Sequence, residues 1–156
     1  MSDKNNIKYY EKIIILEDEI YDSDALDNYD AFILNCIKFA EKNIVPLSQY
    51  RKELEGIIKQ CIDFLEGKIG KPELEKYYIQ LGRKIRLSGS LDKKEKEIHI
   101  FMSIFLDSNF LQNTAPEEQQ DSDICYLLCN LYRIKDDLEL CNTFYSSICS
   151  VGADDA

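Results

Sequence analysis

The sequence predicts an all-α protein, a compact bundle of about six helices that ends in a long C-terminal helix. Apolar residues recur at spacings of three and four along nearly the whole chain, and alternation at two is rare. Hydrophobic residues make up 45% and charged residues 31% of the chain, which is typical of globular proteins. A chain of 156 residues buries a sizeable core, so we expect 1–156 to form one domain with frayed tails at 1–6 and 150–156.

The first three predicted helices lie before Gly67, a residue typical of helix C-termini. Helix 2 runs from about Asp24 to Ile44, and Ser23 is its expected N-cap. Pro46 separates helix 2 from helix 3, which then continues to the glycine. The apolar stripe that defines helix 1 consists of Tyr9, Ile13, Leu16 and Ile20.

Two further helices are expected in the middle of the chain. Pro72 suits the first turn of helix 4, and Gly89 is its expected end. Ser90 is the expected N-cap of helix 5. The stretch SNFLQNTAPEEQQDSD, residues 108–123, breaks the periodicity with Asn, Pro and polar residues and is predicted to be a loop.

The last predicted helix has the most regular pattern. Its apolar residues follow strict 3-4-3-4-3-4-3 steps along Ile124, Leu127, Leu131, Ile134, Leu138, Cys141, Tyr145 and Ile148. Because the register persists, we expect one helix of roughly 28 residues rather than two. A kink at the charged triplet Lys135-Asp136-Asp137 remains open.

The charge of the chain is strongly acidic and unevenly distributed. The formal net charge is −10; residues 1–30 carry nine acidic and three basic side chains, whereas residues 67–98 carry five acidic and nine basic ones. Such a charge disfavours nucleic acid and anionic membrane as partners, because both are polyanions. A basic protein surface is the partner that this charge favours.

The amino terminus gives an expectation about location. MSDKNNIKYY is polar and no apolar signal core follows it, and the longest strongly apolar run, Ile13–Leu16, is far too short to cross a membrane. We therefore expect a cytoplasmic protein without a membrane anchor.

The acidic segment, residues 17–30, has the sequence EDEIYDSDALDNYD. An EF-hand loop starting at Asp22 fails, because Leu26, Asp27 and Ile33 occupy positions that need an oxygen ligand, a glycine and a glutamate. Carboxylates beside tyrosines suit Arg and Lys side chains, so we predict a partner-binding face, although solvated helix ends remain the simpler interpretation. This predicted face comprises Glu17, Asp18, Glu19, Asp22, Asp24, Asp27, Asp30, Tyr21 and Tyr29.

Other residues give little sign of catalysis or of a metal site. The six cysteines are expected to be free thiols in the core, since Cys125 and Cys149 lie too far apart on one straight helix to share a metal. His99, the single histidine, lies one step off the apolar stripe of helix 5 and is expected to be a boundary residue between the core and the surface. No nucleophile elbow, phosphate loop or dinucleotide fingerprint occurs. We therefore expect no enzyme, metal or cofactor.

Three functions remain open. The first is a binding protein that covers a basic surface, most concretely a bacterial immunity protein or antitoxin that neutralises a basic toxin, for example a nuclease, by blocking its substrate-binding surface. The second is a helical adaptor or regulatory protein, monomeric or homodimeric, that acts through apolar grooves. A helical metalloenzyme is the third and least favoured.

Overall fold

A computed structural model describes the backbone of residues 2–114 and 117–149. It describes the burial and contacts of side chains for residues 8–114 and 123–149. All regular structure in these ranges is helical, which confirms the all-α bundle. The described ranges contain eight α-helices instead of about six. They are α1 (Ser2–Asp22), α2 (Tyr29–Phe39), α3 (Arg51–Leu65), α4 (Lys71–Leu87), α5 (Lys93–Ser103), α6 (Ser108–Gln112), α7 (Glu117–Lys135) and α8 (Glu139–Cys149).

The helix predicted from Asp24 to Ile44 is divided into shorter elements. A 3-10 turn at Asp24–Leu26 comes first, and Ser23 caps that turn by accepting a hydrogen bond from the Ala25 N–H at 3.1 Å. The N-cap of α2 is instead Asn28, whose side chain accepts from the Ala31 N–H at 3.2 Å. After α2 the chain continues through a π-helical turn to Ile44, so polar side chains that bind the backbone decide these boundaries.

The single long C-terminal helix was a wrong prediction. α7 ends at Lys135, Asp136 adopts a left-handed conformation with φ of 57°, and the Asp137 side chain accepts from the Glu139 N–H at 3.0 Å. α8 then folds back along α7. A contact between the two helices shows this: the Cys141 thiol donates to the Leu128 carbonyl oxygen at 3.1 Å. Both helices face the same core, so the apolar register continues across a break that periodicity does not detect.

The stretch predicted to be a loop, residues 108–123, is largely helical. Asp107 caps α6 by accepting from the Asn109 N–H at 2.9 Å, and Asn113 ends α6 in a left-handed conformation. α7 begins at Glu117, inside the same stretch. The predicted tail 150–156 lies outside the described residues, and residues 2–6 belong to α1.

The ends of α3, α4 and α5 were partly predicted. Gly67 has a positive φ of 77° and follows α3, where the Lys68 N–H donates to the Asp63 carbonyl at 2.8 Å in a Schellman motif. Pro72 lies in the first turn of α4 as predicted. The predictions at the next junction were wrong: α4 ends at Leu87 rather than Gly89, and Asp92 rather than Ser90 caps α5.

Aromatic side chains connect the helices through the centre of the bundle. The rings form a series of edge contacts, with centroids 5.2–6.4 Å apart, in the order Phe144, Phe39, Phe101, Phe105, Phe110 and Phe32. On the outside, the rings of Tyr9 and Tyr132 stack 3.7 Å apart, so α1 runs antiparallel to α7 and the C-terminal end of α1 meets the start of α7. No helix in the described ranges is both long and apolar enough to span a bilayer.

Candidate functional site

Six of the seven carboxylates of the acidic segment are exposed, namely Glu19 and five aspartates. They are distributed over the C-terminal part of α1, the following 3-10 turn and the first turn of α2. None of the ion pairs between described side chains includes any of the five aspartates. These exposed aspartates are Asp18, Asp22, Asp24, Asp27 and Asp30.

The two glutamates of the predicted face are directed to neighbouring helices. Glu17 lies beside Tyr10 and Cys125, between α1 and α7. Glu19 lies beside Tyr145 of α8, where burial and the charge of Glu19 raise the pKa of that tyrosine. The nine residues predicted as one face are therefore divided, because α1 presents successive side chains to different neighbours.

The helix dipoles act differently on the exposed aspartates. Asp18 and Asp22 lie in the last turns of α1, where no basic residue is present and the dipole is negative. Carboxylates in this position destabilise a helix by about 0.3–1 kcal/mol each. Asp24 and Asp30 lie in first turns, where the dipole favours them. A favourable helix dipole therefore accounts for the positions of Asp24 and Asp30 but not for those of Asp18 and Asp22.

A pocket of about 110 Å³, here called the tyrosine pocket, opens next to the acidic segment. Its wall combines side chains from the end of α1, the 3-10 turn, α2, α6 and α7. The residues that line it are Tyr21, Leu26, Tyr29, Asn109, Phe110, Asn113, Asp123 and Ile124. Both tyrosines of the predicted face thus reach one cavity.

Tyr29 holds two walls of the tyrosine pocket together. Its hydroxyl donates a hydrogen bond to the Phe110 carbonyl oxygen, which connects α2 to α6. Burial raises the pKa of Tyr29 well above its ordinary value, and negative charge at Cys36, Asp123 and Asp107 raises that pKa further. The hydroxyl is occupied inside the protein, so a ligand would meet the ring of Tyr29.

One carboxylate, that of Asp123, lines the tyrosine pocket, and that of Asp107 lies close to it. Burial raises the pKa of Asp123, and the nearby charge of Asp107 raises it further. Asp107 also caps α6, which keeps its carboxylate near the pocket wall. The acidic segment, α6 and the start of α7 therefore converge on one acidic end of the bundle.

A second polar cluster, here called the Glu95 cluster, lies inside the bundle. Glu95 is 3% exposed, and its carboxylate accepts from the Ser48 hydroxyl and from the Gln49 N–H, each at 2.8 Å. Ser48 also accepts from the Tyr50 N–H at 2.9 Å. The cluster thus fixes the N-terminal end of α3 against α5.

His99 belongs to the Glu95 cluster, and the prediction of a boundary histidine was wrong. It is fully buried, its Nδ1 lies 2.7 Å from the Glu95 carbonyl oxygen, and its Nε2 has no hydrogen-bond partner among the described residues. Since a carbonyl oxygen only accepts, Nδ1 carries a proton. Ser48 donates to Glu95 instead of the histidine, so these residues do not form the serine–histidine pair of a catalytic triad.

The cysteines are free thiols within the described ranges. The fold-back of α8 places Cys141 near Cys129, yet no three or more His, Cys, Asp or Glu side chains among the described residues form a group able to hold a metal. Burial raises the pKa of Cys61 and of Cys141 to about 12 each. Protonated thiols are poor nucleophiles and poor metal ligands.

Comparison with known proteins identifies no relative of this chain. No protein-family model matches the chain, and no curated protein or solved structure does so either. The functional argument therefore depends on the residues and their geometry alone.

Proposed function

We propose that this protein is a stoichiometric inhibitor of a basic protein, most concretely an immunity protein or antitoxin that covers the substrate-binding surface of a cationic toxin such as a nuclease. The observation that carries this proposal is the set of five exposed aspartates, none of which takes part in an ion pair between described side chains. In this proposal the protein is not an enzyme, uses no cofactor and acts in the cytoplasm.

The position of the aspartates supports a binding role. Asp18 and Asp22 are clustered at the unfavourable end of α1, and Asp107 and Asp123 repel each other nearby. Such a cluster lowers the stability of the free protein, which is common where a surface serves function. A basic partner would relieve the repulsion and would be attracted over a long range, which raises its association rate.

The charge of the rest of the chain fits the same role. The middle part of the sequence is basic, and Lys93 of α5 lies 3.7 Å from Asp136 at the turn between α7 and α8, far along α7 from the tyrosine pocket. The acidic end and this part of the bundle therefore lie at different ends of α7. A partner that approaches the acidic end would therefore lie far from Lys93, and of the basic middle part it would meet Lys71, which shares a groove with Asp107 and Asn109.

A helical adaptor is the second candidate. A groove of about 380 Å³ runs between the π-helical turn and α3, and Val45, Ile58 and Ile62 supply its apolar wall. Leu34 and Leu87 are exposed elsewhere on the surface. An adaptor that used such a groove would bind its partner, or a second copy of itself, in a way that resists salt.

Capture of partners from the source cells tests the proposal. The tagged wild-type chain is compared with a variant in which Asp18, Asp22, Asp24 and Asp27 are changed to Lys. The matched control changes four exposed glutamates to Lys that lie outside the acidic segment and outside the groove beside α3, namely Glu11, Glu66, Glu73 and Glu139.

We expect one basic partner at a one-to-one ratio with the wild type and with the control, and none with the aspartate variant. Equal capture by all three proteins would exclude the acidic segment as the binding surface. Capture that persists in high salt would favour the adaptor. Metal analysis of the purified wild type tests the remaining alternative, a helical metalloenzyme.

A further inference from the structure

We propose that the tyrosine pocket receives the side chain of an arginine from the basic partner. The inference rests on the proposed function for the identity of the partner, and it adds a defined subsite to the acidic end. The pocket lies beside Asp22 and Asp24 in the chain, so a partner that covers these aspartates would also cover its opening.

The size of the pocket suits a guanidinium group. A cavity of about 110 Å³ equals the liquid volume of roughly three to four water molecules at about 30 Å³ each. A guanidinium is a flat group of comparable size, with a carbon and three nitrogens. The pocket is too small for a folded segment of a partner, so a single side chain is the occupant that fits.

The charge of the pocket favours a cation. Asp123 lines it, Asp107 is close enough to affect the ionisation of Asp123, and neither Lys nor Arg lines the cavity. The carboxylate of Asp123 accepts hydrogen bonds from two N–H groups of one guanidinium in a bidentate arrangement. A cation beside Asp123 would offset the repulsion that Asp107 exerts on this carboxylate.

The remaining walls favour arginine over lysine. Tyr21 and Tyr29 present aromatic rings, on which a planar guanidinium stacks while its charge interacts with the ring face. Leu26, Phe110 and Ile124 supply apolar surface for the alkyl part of the side chain. A lysine ammonium is compact and strongly hydrated, so it gains less from flat aromatic walls.

The test uses the whole chain, labelled with ¹⁵N, and Nα-acetyl-arginine methylamide as the probe. The corresponding lysine compound and the neutral citrulline compound are the comparison ligands. We expect saturable shifts of the amide signals of Tyr21, Asn109 and Ile124, with a dissociation constant on the order of 1 mM, as for a single side chain. The lysine and citrulline compounds should bind at least about tenfold more weakly.

Variants assign the binding to the pocket. Asp123→Asn should raise the dissociation constant of the arginine probe about tenfold, because it removes the carboxylate that would bind the guanidinium in a bidentate arrangement. Asp107→Asn keeps a good N-cap for α6 and should weaken binding less. Asp136→Asn is the matched control, since Asp136 is exposed and lies at the other end of α7 from the pocket. Unchanged amide spectra away from the pocket show that each variant is folded.

The outcomes separate this inference from the proposed function. Equal binding of the lysine or citrulline compound, or unchanged binding by Asp123→Asn, would overturn the arginine subsite even if a basic partner is captured. Arginine-specific binding that Asp123→Asn abolishes would support the subsite even if no inhibitor partner is captured.

Discussion

The acidic segment and the Glu95 cluster use the same functional group in opposite ways. Glu95 is buried, and two donors from the start of α3 satisfy its carboxylate at 2.8 Å. The exposed aspartates of residues 17–30 lie on the surface without an ion pair to any described side chain. One carboxylate holds two helices together, and the others remain available for a partner.

This difference gives a way to distinguish a structural carboxylate from one that is proposed to bind a partner. A structural carboxylate is buried and its removal leaves buried donors without an acceptor, which costs stability. A binding carboxylate is exposed, and its removal leaves stability unchanged or improves it. Changes at Glu95 and at Asp18 or Asp22 should therefore shift the free energy of unfolding in opposite directions.

The largest effect is expected at Glu95. Glu95→Ala removes the acceptor for the Ser48 hydroxyl and the Gln49 N–H, so the free energy of unfolding should fall by about 3 kcal/mol. Urea denaturation measures this loss. The matched control is Glu55→Ala on the exposed surface of α3, which should change stability by less than about 0.5 kcal/mol. Similar values for the two variants would contradict a structural role for Glu95.

A smaller loss is expected at the wall of the tyrosine pocket. Tyr29→Phe removes the hydrogen bond to the Phe110 carbonyl while it keeps the ring, so stability should fall by about 1 kcal/mol. Tyr78→Phe, at an exposed tyrosine of α4, serves as the control and should be close to neutral. If both variants unfold at the wild-type temperature, Tyr29 does not hold α2 against α6.

The two exposed aspartates at the C-terminal end of α1 should show the opposite sign. Asp18→Asn and Asp22→Asn remove charge from the negative end of α1 and should each stabilise the free protein by about 0.3–1 kcal/mol at low salt. Asp30→Asn makes the same chemical change in the first turn of α2 and should destabilise by a similar amount. Thermal unfolding at low and high salt measures both, and effects of the same sign would refute the dipole argument.

The smallest effect concerns Glu17, which lies beside a thiol. Burial, Cys129 and Glu17 together raise the pKa of Cys125 to about 11, so alkylation of Cys125 by iodoacetamide should be slow at pH 7 and accelerate up to that pKa. Glu17→Gln should lower this pKa and speed alkylation. Asp18→Asn, at the exposed neighbour, should leave the rate unchanged; equal effects would place Glu17 on the open surface.

Periodicity predicted the all-α fold because buried helix faces repeat every three or four residues. It missed the break at Asp136, where one left-handed residue reverses the chain without disturbing the apolar register. It also missed α6 and the true start of α2, which depend on the caps Asp107 and Asn28. Backbone capping of this kind leaves only short, ambiguous signals in a single sequence.

The candidate site was visible only in part. Composition indicated the carboxylates of residues 17–30, but the rotation of α1 against α7 and α8 decides that Glu17 and Glu19 face neighbours. The meeting of this segment with Asp123, and the contact of Ser48 with Glu95, join residues far apart in the chain. Such contacts depend on tertiary packing, which the local pattern of a single sequence does not indicate.

The association rate with the captured basic partner tests the central claim most directly. The wild type is compared with the variant carrying Lys at Asp18, Asp22, Asp24 and Asp27, from low to physiological salt. The account predicts that the wild type associates at least about tenfold faster at low salt and slows as salt rises, whereas the variant shows little salt dependence. Identical rates and salt dependence for both proteins would contradict the claim that this acidic end binds the partner.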